Sequence, residues 1–306
     1  MKKKVLITGG AGFIGSNLKK ALSKSEFEIL TVGRSKKENF QIDLKDPQLH
    51  KIIQSFLPDI VCHFASGSNI KNAEKNQEKE LKDTVTSSEC LLQSLSFPNL
   101  KNTKIIYLSS QAVYGLPKYL PVDELHPTNP TTIYAKNKLM VEDLIIQSKL
   151  NYLIFRVSSA YGEGQNYEKS GVVASFIDKM RKNQSPIIFN SQDLFFDFIY
   201  IKDIVSAIAK SITDDSIKNE IFNLGSGIPI SLKKLLDILY KQFPAAPLPE
   251  VQKNTLYLNE GQKGFYFNIK KIQAQLKWAT KYNIEAGLRE IWEAIELQSA
   301  KLTKKT

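Results

Sequence analysis

Lys3-Lys-Val-Leu-Ile-Thr8 runs directly into Gly9-Gly-Ala-Gly-Phe-Ile-Gly15, and this junction decides the fold. The first segment predicts a buried strand, and Ser16 to Ser23 predicts a helix. The glycines between them match the GxGxxG spacing from Gly10 and, equally, the TGxxGxxG spacing from Thr8. Together they predict a dinucleotide site, because glycine lets the backbone approach a pyrophosphate that the helix N-terminus stabilises.

Strands and helices keep alternating beyond this unit. Further strands are predicted at 28–32, 40–43, 60–65, 104–109 and 152–156. This rhythm is typical of a parallel, doubly wound sheet, in which ligands bind at the carboxyl ends of the strands. The sequence therefore predicts an α/β fold with a doubly wound parallel (Rossmann) sheet and a smaller, mixed α/β substrate lobe. We expect a cofactor domain at 1–165 and 194–222, and a substrate-binding lobe at 166–193 and 223–306.

The composition is that of an ordinary globular protein. The chain has 306 residues, of which 42% are hydrophobic and 24% are charged. No apolar run approaches the roughly 18 residues of a transmembrane helix, and the glycines after Thr8 break the short run that imitates a signal peptide. Cys62 and Cys90 lack CxxC spacing and lie in apolar stretches. They indicate reduced thiols in the cytoplasm rather than a disulfide or a metal site.

The formal net charge is +11. A basic chain can bind nucleic acid, membrane surfaces or small anions. The lysines are dispersed, however, without a basic run or an interleaved aromatic ladder. We therefore expect a lysine-rich solvated surface and neither a nucleic-acid nor a membrane partner. Arginine is scarce, so each position is informative: Arg34, Arg156, Arg181 and Arg289.

Arg34 follows the second predicted strand, about 20 residues past the glycine loop, where a dinucleotide fold meets the adenosine ribose. An acid at this position bonds the 2′-hydroxyl of NAD. The strand end here carries no acid, and Arg34 is followed by Ser35, Lys36 and Lys37. These residues suit a 2′-phosphate, so the sequence favours NADP over NAD.

Tyr134 and Lys138 are four residues apart in the segment from Ile133 to Lys149, which lacks proline and glycine. This spacing puts both side chains on one face of a helix. A lysine ammonium near the phenol favours the phenolate and lowers the tyrosine pKa from about 10 towards working pH. Tyr134 is therefore a candidate acid/base for hydride chemistry. His63, in the fourth predicted strand, fits a packing role as well as a chemical one.

Motifs along nearly the whole chain resemble the extended short-chain dehydrogenase/reductase family, in particular its NAD(P)-dependent nucleotide-sugar epimerase/dehydratase group. The segments that carry the resemblance are Thr8–Gly15, Asp43-Leu44, His63-Phe-Ala65, Ser109–Gly115, Tyr134 with Lys138, Arg156–Gly162, Asp197–Asp203 and Phe222–Gly227. They are specific for the family and much less specific for a substrate. The resemblance implies an enzyme of nucleotide-sugar metabolism that takes a nucleotide-sugar substrate and forms a homodimer.

The resemblance also implies roles for single residues. Ser110 would hydrogen-bond a sugar hydroxyl or keto oxygen, Tyr134 would exchange the proton, and Lys138 would bind the nicotinamide ribose. The implied cofactor-binding residues are Gly9, Gly12, Phe13, Ile14, Gly15, Arg34, Asp43 (beside the adenine), Leu44, Phe64, Ala65, Ser66, Tyr134 and Lys138. The implied substrate-binding residues are Ser110, Tyr134 and Ser159, and no metal is expected. The cofactor carries the hydride, and the protein aligns it.

Three positions depart from the family pattern. Phe196 precedes Asp197 where many relatives have an arginine that contacts the substrate diphosphate. A lysine must replace that contact, or the substrate is not a standard nucleotide sugar. Thr84 and Ser159 stand where the family often has asparagine. Asp197 and Asp203 are expected to be structural rather than catalytic.

The reaction type can be narrowed. Sugar 4,6-dehydratases place an Asp-Glu pair after the catalytic Ser/Thr, whereas Gln111 and Ala112 follow Ser110 here, so dehydration is disfavoured. Neither cysteine is placed as in reductase-epimerases of the GDP-fucose synthase type. The leading interpretation is epimerisation through a 4-keto intermediate, as in UDP-glucose 4-epimerase. An NADPH-dependent 4-keto-sugar-nucleotide reductase and a non-catalytic dinucleotide-sensing regulator are the alternatives.

Overall fold

The computed structural model of the chain describes residues 2–22, 27–67, 70–166, 171–253 and 263–303, with side chains up to residue 297. Its strands are β1 (Lys3–Thr8), β2 (Phe27–Gly33), β3 (Phe40–Gln41), β4 (Ile60–His63), β5 (Lys104–Ser110), β6 (Asn151–Val157), β7 (Ser159–Tyr161), β8 (Ile187–Phe189), β9 (Phe195–Tyr200), β10 (Glu220–Leu224), β11 (Pro229–Ser231), β12 (Glu250–Gln252) and β13 (Gly264–Phe265). Its helices are α1 (Phe13–Leu22), α2 (Gln48–Phe56), α3 (Ile70–Lys75), α4 (Gln77–Leu81), α5 (Ser87–Leu95), α6 (Ile133–Gln147), α7 (Val172–Arg181), α8 (Ile201–Thr213), α9 (Leu232–Tyr240), α10 (Lys270–Leu276) and α11 (Ile284–Thr303). None of these described helices has the length and apolarity needed to cross a membrane.

Seven parallel strands form the central sheet, in the order β10-β6-β5-β4-β1-β2-β3. The doubly wound fold predicted from the strand–helix rhythm is confirmed. The order reverses between β1 and β4, and in such sheets the crevice at the reversal is where ligands bind. The glycine loop, Gly9–Gly15, leaves β1 at this point and enters α1.

Alternate residues of the strands feed two hydrophobic cores, one on each face of the sheet. In β1, Val5 and Ile7 belong to one core and Leu6 to the other. In β4, Cys62 belongs to the first core and Val61 to the second. Side chains alternate across a strand, and both faces of this sheet are covered, so the middle residues of β1 and β4 are apolar on both faces. The packed sheet fixes the strand ends that carry the site.

A smaller sheet is built from residues beyond 158. It has the order β11-β9-β13, with β7 also paired to β9, and β12 pairs separately with β8. The sequence prediction assigned 194–222 to the cofactor domain. Within that range, β9 lies in the smaller sheet. β10, whose first residues also fall in that range, lies in the central sheet. The division into two lobes at the predicted boundaries stays a prediction.

The segment between β4 and β5 is largely helical, as predicted, but it is divided. Asn76 separates α3 from α4 and caps α4, because its Oδ1 accepts a hydrogen bond from the Lys79 N–H at 3.0 Å. A π-helical turn, Lys82–Thr86, then leads into α5. Such turns are frequent at functional sites. This one brings Asp83 to the ends of β2 and β3, and Thr84 to the Gly67 N–H at 2.7 Å.

Candidate active site

The glycine loop has the shape that a dinucleotide site requires. Gly9 has a left-handed backbone, with φ +70°, and the Gly12 N–H donates to the Gly9 carbonyl at 3.0 Å. A side chain at Gly15 would overlap the Gly9 carbonyl oxygen. The tight loop therefore needs glycine there, and it leaves the N-terminus of α1 open to a pyrophosphate. These residues fit a bound dinucleotide.

A buried chain of hydrogen bonds fixes the end of β4 beside this loop. Thr8 Oγ1 lies 2.7 Å from His63 Nδ1, and His63 Nε2 lies 2.8 Å from Ser88 Oγ. Thr8 Oγ1 also accepts from the two backbone N–H groups that follow His63, both at 3.2 Å. Burial lowers the pKa of His63 to about 3, so its ring is neutral at pH 7. His63 therefore has a structural role in holding β4 against β1.

Three residues predicted to be catalytic come together in the structure. Ser110 ends β5, and Tyr134 and Lys138 lie one turn apart in α6, which Thr132 caps. Ser110 and Tyr134 line the same cavity, and the Ser110 Oγ accepts a hydrogen bond from the Ala112 N–H at 3.2 Å. The Lys138 Nζ donates to the Leu108 carbonyl at 2.9 Å. A strand end and the first half of one helix thus position all three side chains.

Burial governs the protonation of this group. Burial raises the pKa of Tyr134, the neighbouring Ser110 hydroxyl opposes this rise, and the charge of Glu80 adds to it. The Lys138 Nζ lies 5.8 Å from the Tyr134 ring centre and donates to the backbone instead. The prediction that Lys138 brings the tyrosine pKa below its ordinary value is therefore wrong for this chain. Burial also lowers the pKa of Lys138 to about 8, so its ammonium is the main form at pH 7.

A cavity of about 330 Å³ joins these residues to the glycine loop. The predicted residues that line it are Gly9, Gly12, Phe13, Ile14, Gly15, Phe64, Ser66, Ser110, Tyr134 and Lys138. Ser159 does not line this cavity, whereas Ser158 and Ala160 do, because successive residues of an extended segment point to opposite sides. Among the described lining residues, Lys138 is the one basic side chain.

A second cavity, of about 40 Å³, lies at the ends of β2 and β3. The predicted cofactor residues that line it are Arg34, Asp43, Leu44, Ala65 and Ser66. The Lys45 Nζ lies 2.8 Å from Asp43 Oδ1. Burial works to raise the pKa of Asp43, but the bonds and charge of Lys45 outweigh it and hold that pKa below its ordinary value. Asp43 is therefore an anion at neutral pH.

Sequence reasoning missed an acid that pairs with Arg34. The Arg34 Nη1 donates to Asp83 Oδ2 at 3.0 Å. Asp83 also pairs with Lys79, and its Oδ1 lies 3.6 Å from the Lys45 Nζ. Asp83 is 49 residues from Arg34 in the chain and reaches it from the π-helical turn. No local signal in the sequence links the two.

Sequence reasoning also missed Glu38. The chain turns back after Arg34, so that Glu38 Oε1 accepts a hydrogen bond from the Ala11 N–H of the glycine loop at 2.7 Å. A signal for this acid was present, since Glu38 follows the loop at close to the usual distance of a ribose-binding acid. The acid was overlooked because it lies five residues beyond the end of β2, whereas such an acid is expected at the strand end itself.

A buried ion pair anchors α6 to the sheet. The Arg156 Nη2 donates to Glu142 Oε2 at 2.7 Å, and its Nε donates to Glu142 Oε1 at 3.1 Å. Both side chains are buried. Ser109 donates to the same carboxylate, and the Arg156 guanidinium lies 4.8 Å from the Tyr114 ring centre. Glu142 follows Lys138 by one turn, so the pair fixes the helix that presents Tyr134 and Lys138.

Asp197 and Asp203 are structural, as predicted. Asp197 is fully buried, and it accepts hydrogen bonds at 2.7–3.2 Å from the backbone N–H groups of Ser226, Gly227 and Phe267. Asp203 accepts hydrogen bonds at 2.9 and 3.1 Å from the N–H groups of Lys281 and Tyr282. Across the described part of the chain, no three His, Cys, Asp or Glu side chains are grouped so as to hold a metal ion.

Phe196 contributes an apolar ring where the resemblance placed an arginine. Its register partners are Ile230 on β11 and Phe265 on β13, and its ring centre lies 6.1 Å from that of Phe198. These neighbours carry no charge. A cation for a substrate diphosphate would therefore have to come from another element.

Comparison with known proteins identifies the family to which this site belongs. The sequence profile of the NAD-dependent epimerase/dehydratase family matches residues 5–225. The chain belongs to this family. The predicted family is thereby confirmed, as is the prediction of an NAD(P)-dependent nucleotide-sugar enzyme of the extended short-chain dehydrogenase type.

Relatives within the epimerase/dehydratase family align over almost the whole chain. The chain is 33% identical to a putative UDP-glucose 4-epimerase of Methanocaldococcus jannaschii, over 94% of this chain and 96% of that protein. It is 29% identical to dTDP-4-dehydro-6-deoxyglucose reductase of Escherichia coli, over 96% and 98%. The structure of UDP-glucuronic acid 4-epimerase from Bacillus cereus, in complex with UDP-glucuronic acid and NAD, matches with a TM-score of 0.87 at 22% identity, covering 96% of this chain and 99% of that one. At that identity the structural likeness shows the fold.

Proposed function

We propose that the protein is a C4 epimerase of a nucleotide-linked hexose and works through a 4-keto intermediate. The observation that carries the proposal is the single cavity that joins the glycine loop to Ser110, Tyr134 and Lys138. A cleft with a phosphate-binding loop at one end and the hydroxyls of Ser110 and Tyr134 at the other suits redox chemistry on an alcohol. The similarity to 4-epimerases in sequence and in fold supports the same activity.

The dinucleotide, when bound, supplies the acceptor and the donor of the hydride. Tyr134 exchanges the proton with the C4 oxygen as the ketone forms and as the hydroxyl is restored. Ser110, which lines the same cavity as Tyr134, would hydrogen-bond the same sugar oxygen. Lys138 is a cation at neutral pH, with its pKa lowered by burial to about 8, and it would bind the nicotinamide ribose.

The dinucleotide would lie along the carboxyl ends of the central strands. The glycine loop would hold its pyrophosphate, and Phe64, Ala65 and Ser66 would border it at the end of β4. Asp43 and Leu44 would meet the adenine, and Lys138 the nicotinamide ribose. These assignments are supported by their places in the two cavities.

The preference for NADP over NAD depends on Arg34 and stays a prediction from the sequence. The ion pair between Arg34 and Asp83 weighs against it, because that carboxylate partly offsets the charge that would attract a 2′-phosphate. The Bacillus cereus relative carries NAD in its complex.

An NADPH-dependent 4-keto-sugar-nucleotide reductase is the second candidate function. The 29% identity to the Escherichia coli reductase favours it. A reductase consumes one reduced dinucleotide in each turnover, whereas an epimerase restores its own. The cofactor balance therefore separates the two candidates.

Turnover without net consumption of cofactor is the expected result. Purified protein would be incubated with NAD and a panel of UDP- and dTDP-linked hexoses, and the products would be identified by NMR. The C4 epimer of one of these hexoses should form. The absorbance of reduced nicotinamide should not change. Stoichiometric oxidation of NADPH by a 4-keto sugar nucleotide, without epimerisation of its hydroxy counterpart, would establish the reductase instead.

We further propose that the protein is a homodimer in the cytoplasm. The large apolar side chains of Leu81, Met140 and Ile146 are exposed on α4 and α6, two helices that contact each other, which supports the dimer. Light scattering in solution should give about twice the 34.6 kDa of one chain, and a single-chain mass would contradict the dimer.

Both cysteines are free thiols, which suits the reducing cytoplasm.

A further inference from the structure

The carboxylate of Glu38 lies against the glycine loop with part of its bonding capacity unused. Its Oε1 accepts a hydrogen bond from the Ala11 N–H at 2.7 Å. Its Oε2 is buried and has no hydrogen-bond partner among the residues that the structure describes. A buried carboxylate oxygen without a partner is costly. A ligand hydroxyl that donated to this carboxylate would remove the cost.

Gly33 leaves the space that this carboxylate fills. It is the last residue of β2, where a dinucleotide-binding fold ordinarily carries its ribose-binding acid. A Cβ placed on Gly33 would lie 3.1 Å from Glu38 Oε1 and 3.5 Å from Glu38 Cγ. The Glu38 carboxylate therefore occupies the volume that an aspartate side chain at position 33 would enter.

The turn that carries Glu38 is fixed by hydrogen bonds. The Asn39 Oδ1 accepts from the Thr31 N–H at 2.9 Å, and the Asn39 N–H donates to Thr31 Oγ1 at 2.9 Å. The Glu38 N–H donates to the Ser35 carbonyl at 3.1 Å. These bonds close the turn after β2 and return the chain to the glycine loop. The position of the carboxylate is thus set by the backbone.

Arg34, which suited a 2′-phosphate in the sequence, is already paired in the structure. Its Nη1 lies 3.0 Å from Asp83 Oδ2, and the Asp83 side chain is only 11% exposed. A 2′-phosphate would meet a guanidinium whose charge the Asp83 carboxylate partly offsets, although the Arg34 side chain stays 55% exposed. It would also approach the negative charge of Glu38, and juxtaposed like charges act against the wrong ligand.

We propose that Glu38 selects the cofactor: its carboxylate accepts a hydrogen bond from the 2′-hydroxyl of the adenosine ribose, replaces the acid that β2 lacks at Gly33, and favours NAD over NADP. This inference rests on the proposed use of a dinucleotide at the glycine loop. It replaces the sequence-based expectation of NADP. The charge-assisted bond favours NAD, and the same charge opposes a phosphate.

Binding titrations with NAD and NADP test the assignment without recourse to turnover. Wild-type protein should bind NAD at least about tenfold more tightly than NADP, and Glu38→Ala should weaken NAD binding about tenfold. Adding Gly33→Asp to Glu38→Ala puts a carboxylate back in the same volume, and it should restore NAD affinity to within about threefold. Gly33 has no left-handed backbone, so aspartate fits there without strain. Glu78→Gln removes the same charge from an exposed residue paired with Lys82, and it should change neither affinity.

Circular dichroism and thermal melting establish that each variant is folded. Tighter binding of NADP than of NAD by the wild type would overturn the inference, as would unchanged NAD affinity in folded Glu38→Ala or no rescue by Gly33→Asp. If the wild type epimerises a nucleotide sugar with NAD but Glu38→Ala binds NAD as tightly as the wild type, this inference falls and the proposed function stands. If the variants bind NAD and NADP as predicted but the protein turns over no nucleotide sugar, the role of Glu38 stands and the proposed epimerase function falls.

Discussion

Tyr134→Phe protein is expected to lose turnover by a factor of about 10² to 10⁴, the usual contribution of a positioned acid/base. The phenylalanine ring fills the same half-buried space, so only the hydroxyl is lost. The glycine loop is untouched, and the affinity for the dinucleotide should stay within about threefold of the wild type. Steady-state rates and a binding titration on the same preparation would measure both quantities.

Tyr119→Phe is the matched control for this variant. Tyr119 is 44% exposed, and its hydroxyl donates to Asp123 at 2.8 Å. The substitution removes the same atom outside the residues that line the cavity. It should leave turnover unchanged. Wild-type turnover in Tyr134→Phe would rule out Tyr134 as the residue that exchanges the proton.

Arg156→Met is expected to lower the free energy of unfolding by about 3–5 kcal/mol, because it leaves the Glu142 carboxylate buried without its partner. Ser109 alone would then bond that carboxylate. Urea unfolding with linear extrapolation would measure the change. Lys233→Met is the control, since Lys233 is 60% exposed and lies 3.8 Å from Asp237, and it should change stability by no more than about 0.5 kcal/mol.

The double variant Arg156→Met with Glu142→Leu separates the charge from the packing. Removing both partners of a buried pair avoids the lone buried charge. The double variant should therefore be more stable than Arg156→Met alone. A double-mutant cycle, with Glu142→Leu as the other single variant, gives the interaction energy between Arg156 and Glu142. A loss below about 1 kcal/mol in Arg156→Met would show that the pair does not anchor α6.

The parts of the fold that the sequence predicted are those set by local patterns. The apolar run of Lys3–Thr8 and the glycines of Gly9–Gly15 define β1, the loop and α1 by themselves. Because parallel strands end at one edge of a sheet, residues at those ends, such as Ser110, were expected near the glycine loop. One helical turn was enough to bring Tyr134 and Lys138 onto one face.

The remaining features depend on how turns fold back and on how burial balances charge. Glu38 reaches the glycine loop because Asn39 closes a turn onto Thr31, and Asp83 reaches Arg34 from a π-helical turn. Neither contact can be predicted from the periodic spacing of apolar residues in the sequence. The pKa of Tyr134 depends on its burial, which the spacing to Lys138 does not reveal. The sequence therefore predicted that Ser110, Tyr134 and Lys138 lie together, but not the direction in which the pKa of Tyr134 shifts.

The fate of the hydrogen at C4 tests the proposed epimerase most directly. Wild-type protein would be incubated with NAD and UDP-glucose deuterated at C4, or the corresponding form of whichever nucleotide hexose it turns over, and the products followed by NMR and mass spectrometry. C4 epimerisation predicts that the epimer keeps its deuterium at C4, because the label returns to the sugar from which it was taken. An epimer that has lost the label would contradict the account, and so would conversion of only a 4-keto sugar nucleotide with stoichiometric oxidation of NADPH.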